Sequence, residues 1–303
     1  MRFITVENCP ACGCEATTTV FTPRPKHWEC FEALSDRKYK GCMNAWMDHL
    51  DLQVKECADC QHLWHHTHPE FLSLLEMYGS SVPLNSNAVS HEPNATVLKS
   101  MKNLFSLAKS ISNETPTFLD YGSGRGKWSK AAVRAGFQVW AYEPSESRSS
   151  DGFKEGFVLV NELNELNGLC FDVVNLEQVL EHAQDPYEIL RGLTQFLKND
   201  SVLRITTPNI SRFRRKKLWN DFPFSGDSMH LLSPYEHLQG FNSLSIKRLL
   251  RRAGFSHITK IEAWKTHPLQ MIRYLVGTLF SDVATTFALV SPNVGVDSLK
   301  PKC

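Results

Sequence analysis

Three glycines spaced two residues apart follow a short apolar run in the stretch FLDYGSGRGKW, residues 118–128. Because glycine has no Cβ atom, such a run lets the backbone turn sharply and lie close to a ligand. Asp120 precedes the first glycine, and the next residues, KWSKAAVRAG, are typical of a helix closed by Gly136. The pattern predicts a ligand site at the carboxyl end of a strand in an α/β sheet, with a plain tight turn as the alternative.

Apolar strands and amphipathic helices alternate on both sides of this loop. Strands are predicted at TFLDYG, FQVWAYE, FVLVN, FDVVNLEQVL and SVLRITTPN, and helices at VLKSMKNLFSLAKSI, KWSKAAVRAG and DPYEILRGLTQFLK. This alternation is typical of a parallel sheet covered by helices on both faces. The predicted fold class is therefore α/β, a Rossmann-like, doubly wound, mostly parallel sheet.

The composition is that of a globular protein of roughly two domains, with 303 residues of which 42% are hydrophobic. A formal net charge of +1 gives no overall field toward nucleic acid or an anionic membrane, so neither partner is expected. The N-terminal residues MRFITVENCP do not resemble a secretory signal, which predicts a cytoplasmic location. The apolar segment 271–290 contains Arg273 and Asp282, so a packed helix or helix pair is predicted there and no membrane span.

The chain is predicted to have three parts. Residues 1–70 are rich in Cys, His and Trp without a sustained period, which indicates a small metal-stabilised module. Residues 71–95 are predicted to form a helix and a linker rich in Ser, Asn and Pro. Residues 96–303 are predicted to form the α/β domain with a C-terminal extension.

Seven of the nine cysteines lie in the first sixty residues, and in a reducing compartment this asymmetry indicates metal binding. Two Cys-x-x-Cys pairs provide four thiolates that can close a tetrahedral zinc site: Cys9, Cys12, Cys57 and Cys60. Cys30 and Cys42, in the intervening loop, are rival ligands. Four thiolates leave no open coordination position, so the predicted zinc is structural. Free buried cysteines are the alternative.

Four histidines follow the second cysteine pair, at positions 62, 65, 66 and 68. Their spacing does not suit one helix face, so they are predicted to form a solvated surface turn and not a metal site.

An acidic residue follows the glycine loop at the end of the next predicted strand. Glu143 lies 17 residues after Gly126, where it can accept hydrogen bonds from both hydroxyls of a ribose. The glycine spacing, G-x-G-x-G, differs from the dinucleotide fingerprint G-x-G-x-x-G. These features predict a nucleoside site with an acid on its sugar.

These motifs resemble those of the class I S-adenosylmethionine-dependent methyltransferases over roughly residues 95 to 265. FLDYGSGRGKW is similar to the family's first motif, AYEP to its ribose-binding acid, FDVVNLEQVLEHAQDP to its fourth-strand motif, and HLLSPYEHLQGFNSLSIKRLLRRAGF to its closing segment. The paired Cys-x-x-Cys motifs followed by QHLWHHTHPEFLSLLEMY resemble the N-terminal segment of some small-molecule and sugar methyltransferases. That likeness agrees with the four outer cysteines as zinc ligands.

The resemblance implies S-adenosylmethionine as the cofactor. The glycine loop would pass under the methionine part, Glu143 would hold the ribose, and Asp120 would anchor the loop and the amino group. Glu162 and Leu163 would flank the adenine, while Asn175 to Glu177 would face the sulfonium. The predicted cofactor residues are Asp120, Gly122, Ser123, Gly124, Gly126, Glu143, Pro144, Glu162, Leu163, Asn175 and Glu177.

Methyl transfer is an in-line displacement, and a base helps only when the acceptor must lose a proton. His182, in LEH, and His230, in GDSMHLLSP, are the candidate bases. His230 is favoured, because the resemblance places its segment over the acceptor pocket. His182 can instead cap or orient the loop that follows the fourth strand.

The segment around LWNDFPF supplies three aromatic side chains as candidate walls of an acceptor pocket: Trp219, Phe222 and Phe224. The basic stretch SRFRRKKLW, residues 211–219, is either a solvated face or a clamp for an anionic acceptor.

Three functions follow from these patterns. The first is O-methylation of a small hydroxylated metabolite or glycan, and the second is C-methylation of a nucleotide-sugar, which the cysteine module favours. The third, from another class, is a nucleic-acid-binding or regulatory protein with a degenerate methyltransferase fold. The near-neutral charge and the intact glycine loop count against the third.

Overall fold

The computed structural model describes residues 3–41, 43–47, 51–70, 91–112, 114–145, 156–211, 222–224, 231–255 and 283–289. The chain divides into two compact units. The first, here called the cysteine unit, takes in the described residues within Met1–Ser86, Leu180–Ile189 and Thr207–Arg252. The second, here called the sheet unit, takes in those within Asn87–Val179, Leu190–Thr206 and Ala253–Cys303.

Twelve strands and six α-helices are present in the described residues. The strands are β1 (Phe3–Thr5), β2 (Thr17–Phe21), β3 (Val54–Cys57), β4 (Leu63–His65), β5 (Thr67–Pro69), β6 (Thr117–Tyr121), β7 (Gln138–Tyr142), β8 (Val158–Val160), β9 (Phe171–Glu177), β10 (Leu197–Pro208), β11 (Gln239–Gly240) and β12 (Val283–Leu289). The helices are α1 (Pro25–Tyr39), α2 (Asn44–Met47), α3 (Ala95–Ile111), α4 (Lys127–Ala135), α5 (Pro186–Leu193) and α6 (Ser243–Arg252). Short 3-10 turns lie at Leu163–Leu166, Leu180–His182 and Thr194–Phe196.

The sheet unit contains a six-stranded sheet with the order β12-β10-β9-β6-β7-β8. The pairs β10–β9, β9–β6, β6–β7 and β7–β8 are all parallel. The chain proceeds outward from β6 through β7 to β8 and then returns to β9 on the other side of β6, so the strand order reverses between β6 and β9. This confirms the predicted Rossmann-like class and gives the sheet a topological switch point, where such folds bind ligands.

Helices α3 and α4 cover one hydrophobic core of the sheet unit. The apolar face of α3 repeats at helical spacing and is buried at Val97, Met101, Leu104 and Ala108. Helix α4 ends at Gly136, whose φ of 108° is left-handed and whose Cβ, if present, would lie 3.1 Å from Phe105. The predicted amphipathic helix and the predicted glycine closure are both confirmed.

The cysteine unit is built on two small antiparallel sheets, β11-β4-β3-β2 and β1-β5. Residues late in the chain complete it, since β11 pairs with β4 and Tyr235 donates its hydroxyl hydrogen to the Phe31 carbonyl at 3.1 Å. The predicted division at residues 70 and 95 follows the order of the chain, whereas this unit also takes in residues 180–189 and 207–252.

The predicted surface turn of histidines is wrong for three of its four members. His62, His65 and His68 are each 0% exposed. His65 and His68 belong to β4 and β5, which are buried along their whole length, and His62 immediately precedes β4. Burial lowers the pKa of His65 to about 4 and that of His68 to about 3. Only His66 stays partly exposed, where it contacts Glu7 and Asp51.

The C-terminal apolar segment also differs from its prediction. Residues Val283–Leu289 form strand β12 of the large sheet, where a helix or helix pair was expected. Their sequence, VATTFAL, contains the β-branched and aromatic residues that favour strands. The helix predicted near residues 71–81 lies outside the described residues. Among the residues that the structure describes, no helix is long and apolar enough to cross a membrane.

Candidate functional site

The glycine loop joins β6 to α4 and is bonded to the end of the neighbouring strand β7. The amides of Gly122 and Ser123 both donate to the carbonyl oxygen of Tyr142, at 2.8 and 3.0 Å. The amide of Gly124 donates to Oε2 of Glu143 at 2.8 Å. The loop and the acid that the sequence singled out separately are therefore joined by a direct hydrogen bond at the carboxyl edge of the sheet.

The three loop glycines are required for different reasons, although all have a positive φ. A Cβ atom at Gly122 would lie 2.8 Å from a Val179 methyl group, and one at Gly126 would lie 2.9 Å from the Phe157 ring. A Cβ atom at Gly124 would meet no described atom within 4 Å. Gly122 and Gly126 are thus needed for packing, whereas the Cβ side of Gly124 faces open space.

Glu143 is buried and firmly oriented. Besides Gly124, the amide of Ser145 donates to its carboxylate, to Oε1 at 3.0 Å. Its main-chain carbonyl accepts from Asn161 Nδ2 at 2.7 Å, which ties the ends of β7 and β8 together. Each carboxylate oxygen has two lone pairs, so one amide hydrogen does not by itself saturate it.

A row of buried polar side chains crosses β6, β9 and β10 in register, at Asp120, Asn175 and Arg204. Asn175 donates to Asp120 at 2.8 Å, and Arg204 donates to Asn175 at 2.5 Å. Arg204 also donates to Glu177 at 2.6 Å and lies over the Trp128 ring, 4.3 Å from its centroid. This row fixes the carboxyl edge of the three strands next to the switch point.

Asp120 connects the row to the helix that follows the glycine loop. Ser129 of α4 donates its hydroxyl hydrogen to Asp120 Oδ2 at 2.6 Å, so both carboxylate oxygens accept a hydrogen bond. Burial raises the pKa of Asp120 to about 6, although the bonds from Ser129 and Asn175 oppose this rise. Asp120 thus joins the strand before the loop to the helix after it. Its predicted roles in anchoring the loop and in contacting the cofactor's amino group stay predictions.

The sequence did not single out Ser129, Asn161 or Arg204. The sequence contained a signal for Arg204, because a charged residue inside SVLRITTPN, a predicted apolar strand, needs a partner if it is buried. Ser129 and Asn161 carry no comparable local signal, since their partners lie on other strands.

The residues predicted to flank the adenine lie just after β8. Glu162 is exposed and precedes the 3-10 turn Leu163–Leu166, where the Glu165 side chain accepts from its amide at 3.0 Å. Leu163 is half-buried, as is Pro144 beside Glu143. All three follow strands whose carboxyl ends share one edge of the sheet, and their roles stay predictions.

Of the two candidate bases, His230 lies outside the described residues, as do residues 212–219 of the basic stretch, which include Trp219. His182 is described: its Nδ1 is 2.8 Å from the Glu236 carbonyl oxygen. Phe222 belongs to the core of the cysteine unit, with its ring 4.8 Å from that of Phe21. Phe224, by contrast, is 49% exposed.

The four predicted zinc ligands converge. Their sulfur atoms all lie within 4.8 Å of one another, with 3.6 Å between Cys9 and Cys60 and 3.5 Å between Cys12 and Cys57. A disulfide would need about 2.05 Å, whereas two thiolates on one tetrahedral zinc are about 3.8 Å apart. The rival Cys30 is not part of this group, and Cys42 lies outside the described residues.

The electrostatics of the cysteine group favour a bound cation. Burial raises the pKa of Cys57 to about 12 and also raises that of Cys12, while a hydrogen bond from Cys60 lowers the pKa of Cys9 to about 4. Without a metal, these pKa directions favour one thiolate among the four sulfurs, and a divalent ion would be needed to hold all four as thiolates.

Asn242 holds the second cysteine knuckle against α6. Its Nδ2 donates to the carbonyls of Cys60 and Gln61 at 3.1 and 2.8 Å, and its Oδ1 accepts from the amides of Leu244 and Ser245. The same side chain thus caps a helix and fixes the turn that presents two sulfurs.

Comparisons with known proteins agree with the switch point, the glycine loop and Glu143. The profile of a methyltransferase domain family matches residues 91–260, more than half of the chain. The chain belongs to this methyltransferase domain family. It is a class I S-adenosylmethionine-dependent methyltransferase.

Individual proteins match this chain over a shorter stretch or at low identity. A ubiquinone biosynthesis O-methyltransferase of Caulobacter vibrioides is 32% identical over 103 residues, which cover 31% of this chain and 41% of that protein. The chain thus spans about two fifths of the length of this curated relative.

Among solved structures, the plantazolicin methyltransferase BpumL in complex with a monoazolic desmethylPZN analogue and SAH is 14% identical, with a TM-score of 0.49, over 65% of this chain and 84% of that one. The magnesium protoporphyrin IX methyltransferase of Synechocystis PCC 6803 with bound SAH is 14% identical, with a TM-score of 0.44, over 74% and 89% of the two chains.

The raised pKa of Asp120 predicts a pH-dependent effect of Asp120→Asn. Between the ordinary pKa of 3.8 and the folded value of about 6, the folded state binds more protons than the unfolded state. The stability that Asp120 contributes is therefore complete below the lower value and is lost as the pH rises through the higher one. Relative to Asp120→Asn, the wild type should lose up to about 3 kcal/mol between about pH 4 and about pH 7.

Urea unfolding of both proteins at the two pH values measures this difference. The same measurement on Asp59→Asn, which changes a largely exposed carboxylate, gives the background. A wild-type minus variant difference that stays constant with pH would contradict the role assigned to burial.

Proposed function

We propose that this enzyme transfers the methyl group of S-adenosylmethionine to a hydroxyl oxygen of a small hydroxylated metabolite or glycan. The observation that carries the cofactor site is the hydrogen bond from the Gly124 amide to Glu143, at a loop position that opens away from the protein. The O-methyltransferase relative supports oxygen as the acceptor atom. Small molecules are the expected partners, and no nucleic acid is expected.

The residues at the switch point fit the cofactor. The Glu143 carboxylate, oriented by the amides of Gly124 and Ser145, is proposed to accept hydrogen bonds from the ribose hydroxyls, and Gly124 leaves room for the methionine part. Glu162 and Leu163 are proposed at the adenine, and the edge of β9 from Asn175 to Glu177 is proposed to face the sulfonium. When bound, S-adenosylmethionine supplies an activated methyl group, and the protein's task is to align the acceptor and exclude water.

The glycine loop itself offers few amides to this ligand. The N–H groups of Gly122, Ser123 and Gly124 are all engaged within the protein, and that of Gly126 donates to the Ser123 carbonyl. Recognition is therefore assigned to the Glu143 carboxylate and to the open face of Gly124, more than to free loop amides.

A structural zinc ion on Cys9, Cys12, Cys57 and Cys60 is the second part of the proposal. The sulfur separations are close to those of a tetrahedral thiolate site, and Cys30 lies apart from the group. Such a site has no open position, so the ion would stabilise the cysteine unit and take no part in methyl transfer.

His230 is proposed as the base that removes the acceptor's proton. The Nδ1 atom of His182 is engaged with the Glu236 carbonyl, which supports the loop-orienting role for His182. C-methylation of a nucleotide-sugar and a regulatory role with nucleic acid are the outcomes that the experiments below must separate from O-methylation.

The cofactor site predicts that Gly124→Ala weakens S-adenosylmethionine binding far more than Gly168→Ala does. Both glycines have a positive φ and no described atom near their Cβ position, so both variants carry a similar backbone strain of about 1 kcal/mol. Only position 124 should meet the ligand. Isothermal titration calorimetry is expected to show at least about tenfold weaker binding for Gly124→Ala.

Glu143→Gln tests the ribose assignment in the same titration. It keeps the size of the side chain but removes the charge, and the loss should exceed about 1.5 kcal/mol. Unchanged affinity in Glu143→Gln would contradict the ribose role of Glu143. Equal losses of affinity in Gly124→Ala and Gly168→Ala would mean that backbone strain, and not contact with the ligand, causes the effect.

The cysteine group predicts one zinc ion per chain that is lost in Cys57→Ser and kept in Cys30→Ser. Elemental analysis of the purified proteins measures the stoichiometry, and circular dichroism during chelation reports the loosening of the cysteine unit. Loss of zinc from Cys30→Ser, with zinc retained in Cys57→Ser, would show a different ligand set.

The proposed reaction predicts that extracts contain an acceptor that gains the mass of one methylene when incubated with the enzyme and S-adenosylmethionine. Tandem mass spectrometry of the product distinguishes a methyl ether from a new carbon–carbon bond. With that acceptor, His230→Gln should lower turnover by about 10² to 10⁴ while cofactor affinity stays nearly unchanged.

An unchanged rate in His230→Gln would mean that methyl transfer needs only the alignment of acceptor and cofactor, without His230 as a base. Competition of RNA or DNA with S-adenosylmethionine for the protein would instead favour the regulatory alternative.

A further inference from the structure

A second group of metal-ligating side chains lies in the cysteine unit and shares no residue with the four cysteines. Glu181 and His182 belong to the 3-10 turn Leu180–His182, and His237 lies two residues before β11. One carboxylate oxygen and one ring nitrogen from each histidine lie within 4.8 Å of one another. We propose that Glu181, His182 and His237 form a binding site for a divalent first-row transition metal ion.

The hydrogen bond of His182 indicates which of its ring nitrogens is protonated. Its Nδ1 is 2.8 Å from the Glu236 carbonyl oxygen, which can only accept a hydrogen, so Nδ1 is the protonated nitrogen. The lone pair is therefore on Nε2. A histidine that ligates a metal usually donates its other N–H to a carbonyl or carboxylate in this way.

The two rings and the carboxylate are placed as a compact donor set. The centroids of the His182 and His237 rings are 4.7 Å apart, with the planes at 79°. Ligand atoms about 2.0 to 2.2 Å from one ion are about 3.4 Å apart. Small side-chain rotations therefore suffice to bring the three donor atoms onto one ion.

Burial gives the carboxylate a reason to hold a cation. Glu181 is 1% exposed and His237 is 7% exposed, whereas His182 is partly exposed. Water competes little for donors that are buried, so the attraction between a carboxylate and a bound cation is stronger there than at the surface. Neighbouring Glu236 is not part of the donor set, since its carboxylate pairs with Lys38.

Hydrogen bonds that do not involve the three donor atoms hold the two segments together. Gln239 donates from Nε2 to the Ala183 carbonyl at 3.1 Å, and its Oε1 is 2.8 Å from Nε2 of the buried His62. With the His182–Glu236 contact, these bonds fix both segments around the donors. The site is thus arranged by the fold before an ion enters, which reduces the cost of binding.

The donor set suggests the kind of ion and what it can do. Two imidazoles and one carboxylate suit zinc, iron(II) or cobalt(II) better than magnesium or calcium, and three protein ligands leave positions open. Those positions can hold water. Because the ion would occupy Nε2 of His182, this inference is compatible with His230 as the proposed base and excludes His182 from that role.

Cobalt(II) titration of the full-length protein tests the site independently of methyl transfer. The protein is first dialysed against a mild chelator that leaves the thiolate-bound zinc in place, as verified by elemental analysis. We expect one further equivalent of Co²⁺ to bind, with visible d–d bands and without the near-ultraviolet charge-transfer band that thiolate ligands produce. A thiolate band would show that cobalt has replaced zinc at the cysteines, which would overturn the inference.

Three variants locate the ion. Glu181→Gln and His237→Asn, which change size little, should each bind Co²⁺ at least about a hundredfold more weakly. His66→Asn, which removes a partly exposed imidazole from the same unit, should bind it like the wild type. Zinc content and thermal melting verify that each variant is folded.

Absence of saturable cobalt binding in the wild type, or undiminished binding in both ligand variants, would overturn the proposal. Neither result would bear on S-adenosylmethionine binding, which is measured separately through Gly124 and Glu143.

Discussion

A carboxylate buried between three strands sets the geometry of the cofactor edge. Asp120 accepts hydrogen bonds from Ser129 and Asn175, and Arg204 holds Asn175 and Glu177 in turn. Each of these buried groups satisfies the next, so removing one would leave its neighbour unpaired at a cost of about 1 to 3 kcal/mol. The row thereby fixes the ends of β6, β9 and β10 and the start of α4, and the glycine loop lies between two of these fixed points.

The sheet, the glycine loop and its acid could be predicted from the sequence because their signals are local. Strand and helix periods, and the closure at Gly136, are properties of short windows. The polar row could not be predicted in the same way, since it arises from the register of β6, β9 and β10, which are far apart in the chain. An arginine in an apolar strand indicates that a buried partner exists but not which residue it is.

The difference between local signals and contacts of distant residues also explains which predictions for the cysteine unit were right and which were wrong. Each Cys-x-x-Cys pair presents two sulfurs from one turn, so spacing alone identified the four cysteines that converge. The histidines after them were predicted to form an exposed turn because their spacing suits no single helix face. Their burial depends on β11, a two-residue strand about 175 positions later, and on Leu232, whose carbonyl contacts His65. No local pattern in residues 62–68 indicates that partner.

The glycine loop also shows why an acid at the next strand is so informative. A loop with many free amides could bind an anion by itself, as phosphate-binding loops do. Here the described loop amides of Gly122, Ser123, Gly124 and Gly126 are engaged within the protein, one of them on Glu143 itself. The loop therefore serves mainly to position a carboxylate and to leave space beside it. That arrangement suits a cationic sulfonium nucleoside better than a polyphosphate, because a fixed buried carboxylate attracts the first and repels the second.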